Sequence, residues 1–150
     1  MNRSRGAEPP GDPMTHPNLR FATLDWNRGL VFTGGAPGGP AITVDGDSVA
    51  GPSPVVLLLV AAAACSGADV VSILEKMRVK LAACRVEVTG TRREADPRRF
   101  LAMHLVFRLA GEGLDAARAE RAIALSLEKY CSVVHTLAPD VALTHELILA

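Results

Sequence analysis

Three cysteines, Cys65, Cys84 and Cys131, carry the redox chemistry open to this chain. Cys65 closes the small-residue run Ala61 to Ala64, and Asp69 and Ser72 return one and two turns later on the same helical face. A thiol acts as a nucleophile only as its thiolate. A carboxylate one turn away disfavours that anion, so Asp69 opposes activation unless a cation offsets it, and it is read as an interface or capping group. Taken alone, a cysteine among alanines is a small hydrophobe used for packing. Cys84 opens an alternating segment and is read as structural. His135 stands one turn after Cys131 and could lower that thiol's pKa, although a surface or interface histidine is the plainer reading. His104 and His145 fall in strand-like segments with no second ligand at metal spacing, so neither a metal nor a cofactor is expected.

These groups need elements to hold them. Gly51 to Val79 contains the longest apolar run, with Pro52 and Pro54 suited to a first helical turn and Ser53 able to cap it. Val55 to Ala64 is apolar on every side, which predicts a helix surrounded by protein. Gly67 costs about 1 kcal/mol in a helix interior and so marks a crowded crossing or a kink. Upstream, the alternation from Leu19 to Thr23, a turn at Trp26 to Gly29 and the segment Leu30 to Thr33 predict a hairpin. Ala41 to Val44 adds a third strand. Downstream, Cys84 to Thr91 and Phe100 to Leu109 alternate as two antiparallel strands. Asp115 caps a second helix with Ala119, Ile123, Leu127 and Tyr130 on one face; Ser132 to Leu137 forms a short turn, and Val141 to Leu149 a last strand. The order βββ-α-ββ-α-β predicts an α+β fold with a largely antiparallel sheet.

With 150 residues, 49% of them hydrophobic and 21% charged, the chain can bury a core without disulfide staples. Residues 1–17 are rich in proline, glycine and charge and are expected to form a disordered tail, leaving 18–150 as a single domain. Sixteen basic residues balance sixteen acidic ones, with no basic patch interleaved with aromatics, so neither nucleic acid nor an anionic membrane is an expected partner. The apolar run to Cys65 is shorter than the ~20 residues that span a bilayer. An odd number of cysteines argues for a reducing compartment, and the cytoplasm is expected.

The Gly51-Pro52-Ser53-Pro54 start, the run into Ala64-Cys65-Ser66, the Asp69-Val70-Val71 continuation and the segment Glu128 to Val133 around Cys131 together resemble the OsmC/Ohr family, especially its YhfA-like branch. The likeness runs from about residue 18 to the C-terminus. It implies antiparallel sheets wrapped around two long central helices in an intertwined homodimer, with thiol sites at the subunit interface. It also implies reduction of organic hydroperoxides, with Cys65 as the peroxidatic thiol and Cys131 as the resolving one, recharged by a dithiol reductant of lipoyl or thioredoxin type. Arg28 is similar in position to the family's activating arginine. The glutamate that pairs with that arginine is replaced by Val55, and Arg20, Glu75 and Arg78 are the remaining candidates near the thiols. That departure keeps two alternatives open. One is a catalytically weakened module that binds a small apolar ligand at the dimer interface. The other is a thiol-disulfide exchange partner, which would need an exposed thiol where the apolar run predicts a buried one.

Overall fold

A computed structural model describes residues 17–150, which form two compact units, one reaching Pro54 and one running from Val55 to Ala150. The tail expected over residues 1–17 lies, apart from Pro17, outside the described residues.

The first unit is an antiparallel meander of β1 (Thr23–Arg28), β2 (Val31–Gly35) and β3 (Ile42–Asp45). The turn expected at Trp26 to Gly29 is tighter than that. Trp26 pairs with Phe32 and Arg28 with Val31, so only Gly29 and Leu30 reverse the chain, and Arg28 is the last residue of β1. Gly29 makes this possible because it takes φ +50°, which residues with a Cβ rarely adopt. Asp45 closes the unit. Its carboxylate accepts from the amides of Asp47, Val49 and Ala50, folding the loop that leads to the helix.

The second unit begins with α1 (Pro54–Lys76), followed by β4 (Lys80–Arg92), β5 (Phe100–Glu112), α2 (Ala116–Leu125), a π-helical turn (Ser126–Tyr130), α3 (Ser132–Thr136) and β6 (Ala142–Leu149). Arg78 takes φ +62° after α1, where the Arg78 amide bonds to Glu75 O and the Val79 amide to Leu74 O. This pair of bonds turns the chain straight into β4. The sheet order is β4-β5-β6, so β5 is central, and Met103, Leu105, Phe107 and Leu109 alternate as its buried face. Val70 and Leu74 of α1 and Ala119, Ala122 and Ile123 of α2 pack on that face. The sheet is not antiparallel throughout. β6 pairs with β5 in parallel, Met103 opposite Leu143 and Phe107 opposite Leu147, because the chain between them crosses over through α2 and α3 instead of making a hairpin.

Two expectations about the helices need correction. Within one chain α1 is not surrounded by protein: Ala62, Ser66, Val70 and Leu74 are buried, but Val56, Val60, Ala64 and Ala68 form an exposed stripe, with Val60 51% accessible. The helix also continues past Cys65 to a length and apolarity sufficient to cross a bilayer. Tyr130 does not join the inner face of the second helix. The π turn adds a residue to the repeat, which rotates Tyr130 outward to 49% exposure and lets the Cys131 amide bond to Ser126 O.

Candidate functional site

Helix α1 places Cys65 and Asp69 one turn apart, and the crossover between β5 and β6 carries Cys131 against them. The sulfurs of Cys65 and Cys131 and a carboxylate oxygen of Asp69 all lie within 4.8 Å of one another. Cys131 is fully buried, Cys65 and Asp69 are half-buried, and both cysteines are free thiols. The π turn explains the approach. Ser126, itself fully buried, donates its hydroxyl to Asp69 Oδ2 at 2.9 Å, pinning the start of the turn to α1, and five residues later Cys131 emerges beside Cys65. Gly67 eases the other side of the helix, since a Cβ there would meet Val86 Cγ2 of β4 at 3.3 Å. The crowding expected at Gly67 is thus with a side chain of the neighbouring strand.

Burial pushes the Cys131 thiol up to about 11. The amides of Val134 and Val133 pull the other way, while a hydrogen bond to Cys65 and the negative charge of that residue push further up. Cys131 therefore holds its proton at neutral pH and can present it to Cys65. His135 is exposed, and its amide donates to Cys131 O. Glu75 is ten residues beyond Cys65 on α1, about 15 Å along the axis, and Arg78 lies further still, so neither can stand at the thiols. Arg20 bonds locally to Pro17 O and Leu19 O. In the first unit, Arg28 acts electrostatically on Asp45, whose carboxyl is held below its usual range by the Ala50 and Asp47 amides, by that of Val49 and by the Arg28 charge.

The same unit holds an apolar cavity of about 490 Å³. Leu58 and Ala61 of α1, Phe100 of β5, and Val133, Leu137 and Val141 line it, with Arg99 at its edge paired to Asp140. Phe100 fits because Gly90 lacks a side chain: a Cβ there would stand 2.3 Å from the ring. Cys84 lies outside this site. It is exposed on β4, and partial burial of its sulfur raises its thiol pKa. His104 bonds to Thr144 Oγ1 and His145 to Glu120 Oε2.

Residues 45–146 match the family model described as OsmC-like protein. The chain belongs to the OsmC-like family. It is 44% identical over 125 residues to Protein YhfA of Escherichia coli K12, covering 83% of this chain and 93% of that one. An OsmC-like protein from Mycoplasma pneumoniae superposes with a TM-score of 0.78 at 17% identity, over 90% of this chain and 99% of the other. The organic hydroperoxide resistance protein OhrB of Bacillus subtilis superposes with a TM-score of 0.57 at 15% identity, over 86% and 97%. At these identities the two structures establish the OsmC-like fold.

Sequence reasoning singled out Cys65 and Cys131 but missed the side chains that organise them. Ser126 stands 57 residues from its partner Asp69, and no local pattern marks it. Asp69 was legible as a helix-face neighbour of Cys65, but its place against Cys131 depends on the crossover.

Proposed function

We propose that the chain is a cytoplasmic thiol peroxidase that reduces organic hydroperoxides to alcohols in defence against oxidative stress. The observation that carries this reading is the approach of the two free sulfurs, within 4.8 Å of one another. The Cys65 thiolate attacks the terminal oxygen of ROOH; the O–O bond breaks, and the alkoxide takes a proton and leaves as alcohol. Cys65 is then a sulfenic acid. Cys131 attacks its sulfur, forming the disulfide, and the hydroxide expelled takes up the Cys131 proton and leaves as water. A dithiol of lipoyl or thioredoxin type returns both residues to thiols and is itself oxidised to a disulfide. The apolar cavity, which Ala61 and Val133 line one turn before Cys65 and two residues after Cys131, offers a place for the R group of the hydroperoxide.

Arg28 is assigned the activating role. On this reading Arg28→Ala should lower the peroxidase rate at neutral pH about tenfold, the effect of raising the reactive thiol's pKa by about one unit. Within the first unit Asp45 supplies a carboxylate in the field of Arg28. The exposed stripe of α1 supports a homodimer, the usual state of this family: Ala64 and Ala68 allow close helix approach, and Val56 and Val60 provide apolar area.

Steady-state consumption of cumene hydroperoxide with dihydrolipoamide as reductant tests the reading. Cys65→Ser should fall to the background rate, whereas a variant as active as the unaltered chain would end the mechanism. One observation favours a second reading: the cavity is apolar and Val55 has replaced the acid, as suits a module that binds a small apolar ligand. Tight binding of an apolar fluorophore, with hydroperoxide turnover no faster than free thiols give, would select it.

A further inference from the structure

We propose that Cys65, Asp69 and Cys131 form a binding site for a thiophilic divalent metal ion, Zn²⁺ in the first instance. The three ligand atoms converge from two elements, with Cys65 and Asp69 one turn apart on α1 and Cys131 above them from the crossover. In a tetrahedral zinc site with Zn–S bonds near 2.3 Å the two sulfurs stand about 3.8 Å apart, so atoms already within 4.8 Å need only small side-chain rotations to close around the ion. Two thiolates and one carboxylate make a soft, anionic donor set that selects zinc or cadmium over magnesium or calcium. Three protein ligands leave a fourth vertex for water or an external thiol. The oxygen partner is already oriented, because the buried Ser126 hydroxyl holds one carboxylate oxygen of Asp69, as outer partners do in established metal sites.

This assignment also gives Asp69 a role that thiol chemistry alone does not, since a carboxylate beside a nucleophilic thiol works against its anion. On metal binding each protonated thiol releases its proton, and the ion's double charge is met by three anionic ligands. Metal and hydroperoxide would then compete for the same sulfurs, so zinc would protect the pair from oxidation while blocking turnover. The site stands on ligand geometry and is independent of the peroxidase reading, because a chain inert towards hydroperoxide would still bind the ion.

The test uses the untagged, fully reduced chain. Titration with Zn²⁺ against a chromogenic chelator should show one ion held per chain, and Co²⁺ should give an intense thiolate-to-cobalt charge-transfer band with tetrahedral visible absorption. Cys65→Ser and Cys131→Ser should each abolish the band, Asp69→Asn should weaken affinity by more than about tenfold and Ser126→Ala by about tenfold, while Cys84→Ser should leave both readouts unchanged. Circular dichroism checks the fold of each variant, and the wild-type cobalt spectrum reads thiolate ligation without any substitution. Failure of the reduced chain to hold one ion against the chelator, a cobalt spectrum without the thiolate band, or uptake unaltered in both serine variants would overturn the site.

Discussion

The two sulfurs of the site are not equivalent. Burial, and then the proximity of Cys65, lift the Cys131 thiol to about 11, so its proton is retained across the physiological range. Removing the Cys65 side chain as a charge, in Cys65→Ala, should lower the Cys131 pKa but leave it above that of an exposed thiol, because burial is the larger cause. Ultraviolet titration of thiolate absorbance in a Cys84→Ser background measures this. The same shift has a sign for stability. A thiol that ionises less readily when folded stabilises the native state fully below the unfolded pKa, near 9, and this contribution is lost as pH rises towards 11. Urea unfolding between those limits should therefore show the unaltered chain losing stability more steeply than Cys131→Ala. Cys65 and Cys131 were legible in the sequence because their surrounding motifs are distinctive. The Ser126 to Asp69 bond was not, because a serine in a polar helical stretch carries no mark of a partner 57 residues away.

Elements explain how such distant residues meet. The parallel pairing of β5 with β6 forces a crossover, and the π turn inside it shifts the helical phase so that Cys131 faces α1 while Tyr130 turns to solvent. Alternation and capping identified the strands and helices from the sequence, including Asp115 at the start of α2, where its side chain accepts from the Arg118 amide. Periodicity could not reveal the π turn, because one inserted residue leaves the composition of a helix unchanged. Nor could it show that Trp26 to Arg28 belong to β1, since Gly29 lets the hairpin close in two residues. Ser126→Ala should destabilise the fold by about 1–3 kcal/mol in chemical denaturation, having removed the donor to a half-buried carboxylate. Gly90→Ala should cost a similar amount, about 1–3 kcal/mol, because the added methyl meets the Phe100 ring and Leu59 Cδ2 inside van der Waals contact. That variant should also perturb the apolar cavity, seen as weaker saturation by bulky hydroperoxides than by small ones.

For the whole molecule, the decisive feature is the apolar stripe on α1. The sequence marks this helix as buried, yet a single chain leaves Val56, Val60, Ala64 and Ala68 exposed, and composition cannot say whether one chain or two will cover them. The proposed homodimer would cover them, and on that proposal Val60→Asp should sediment as a monomer while a Lys80→Asp control on the rim of β4 sediments as a dimer. The central claim is that the sulfurs at positions 65 and 131 of one chain exchange an oxidation for a covalent bond. One equivalent of cumene hydroperoxide added to the reduced protein, followed by alkylation of the remaining thiols and peptide mass spectrometry, measures this directly. The expected product is a peptide pair joined through Cys65 and Cys131 with Cys84 alkylated; peroxide consumed with both Cys65 and Cys131 still alkylated, or a bond formed only through Cys84, would rule the cycle out.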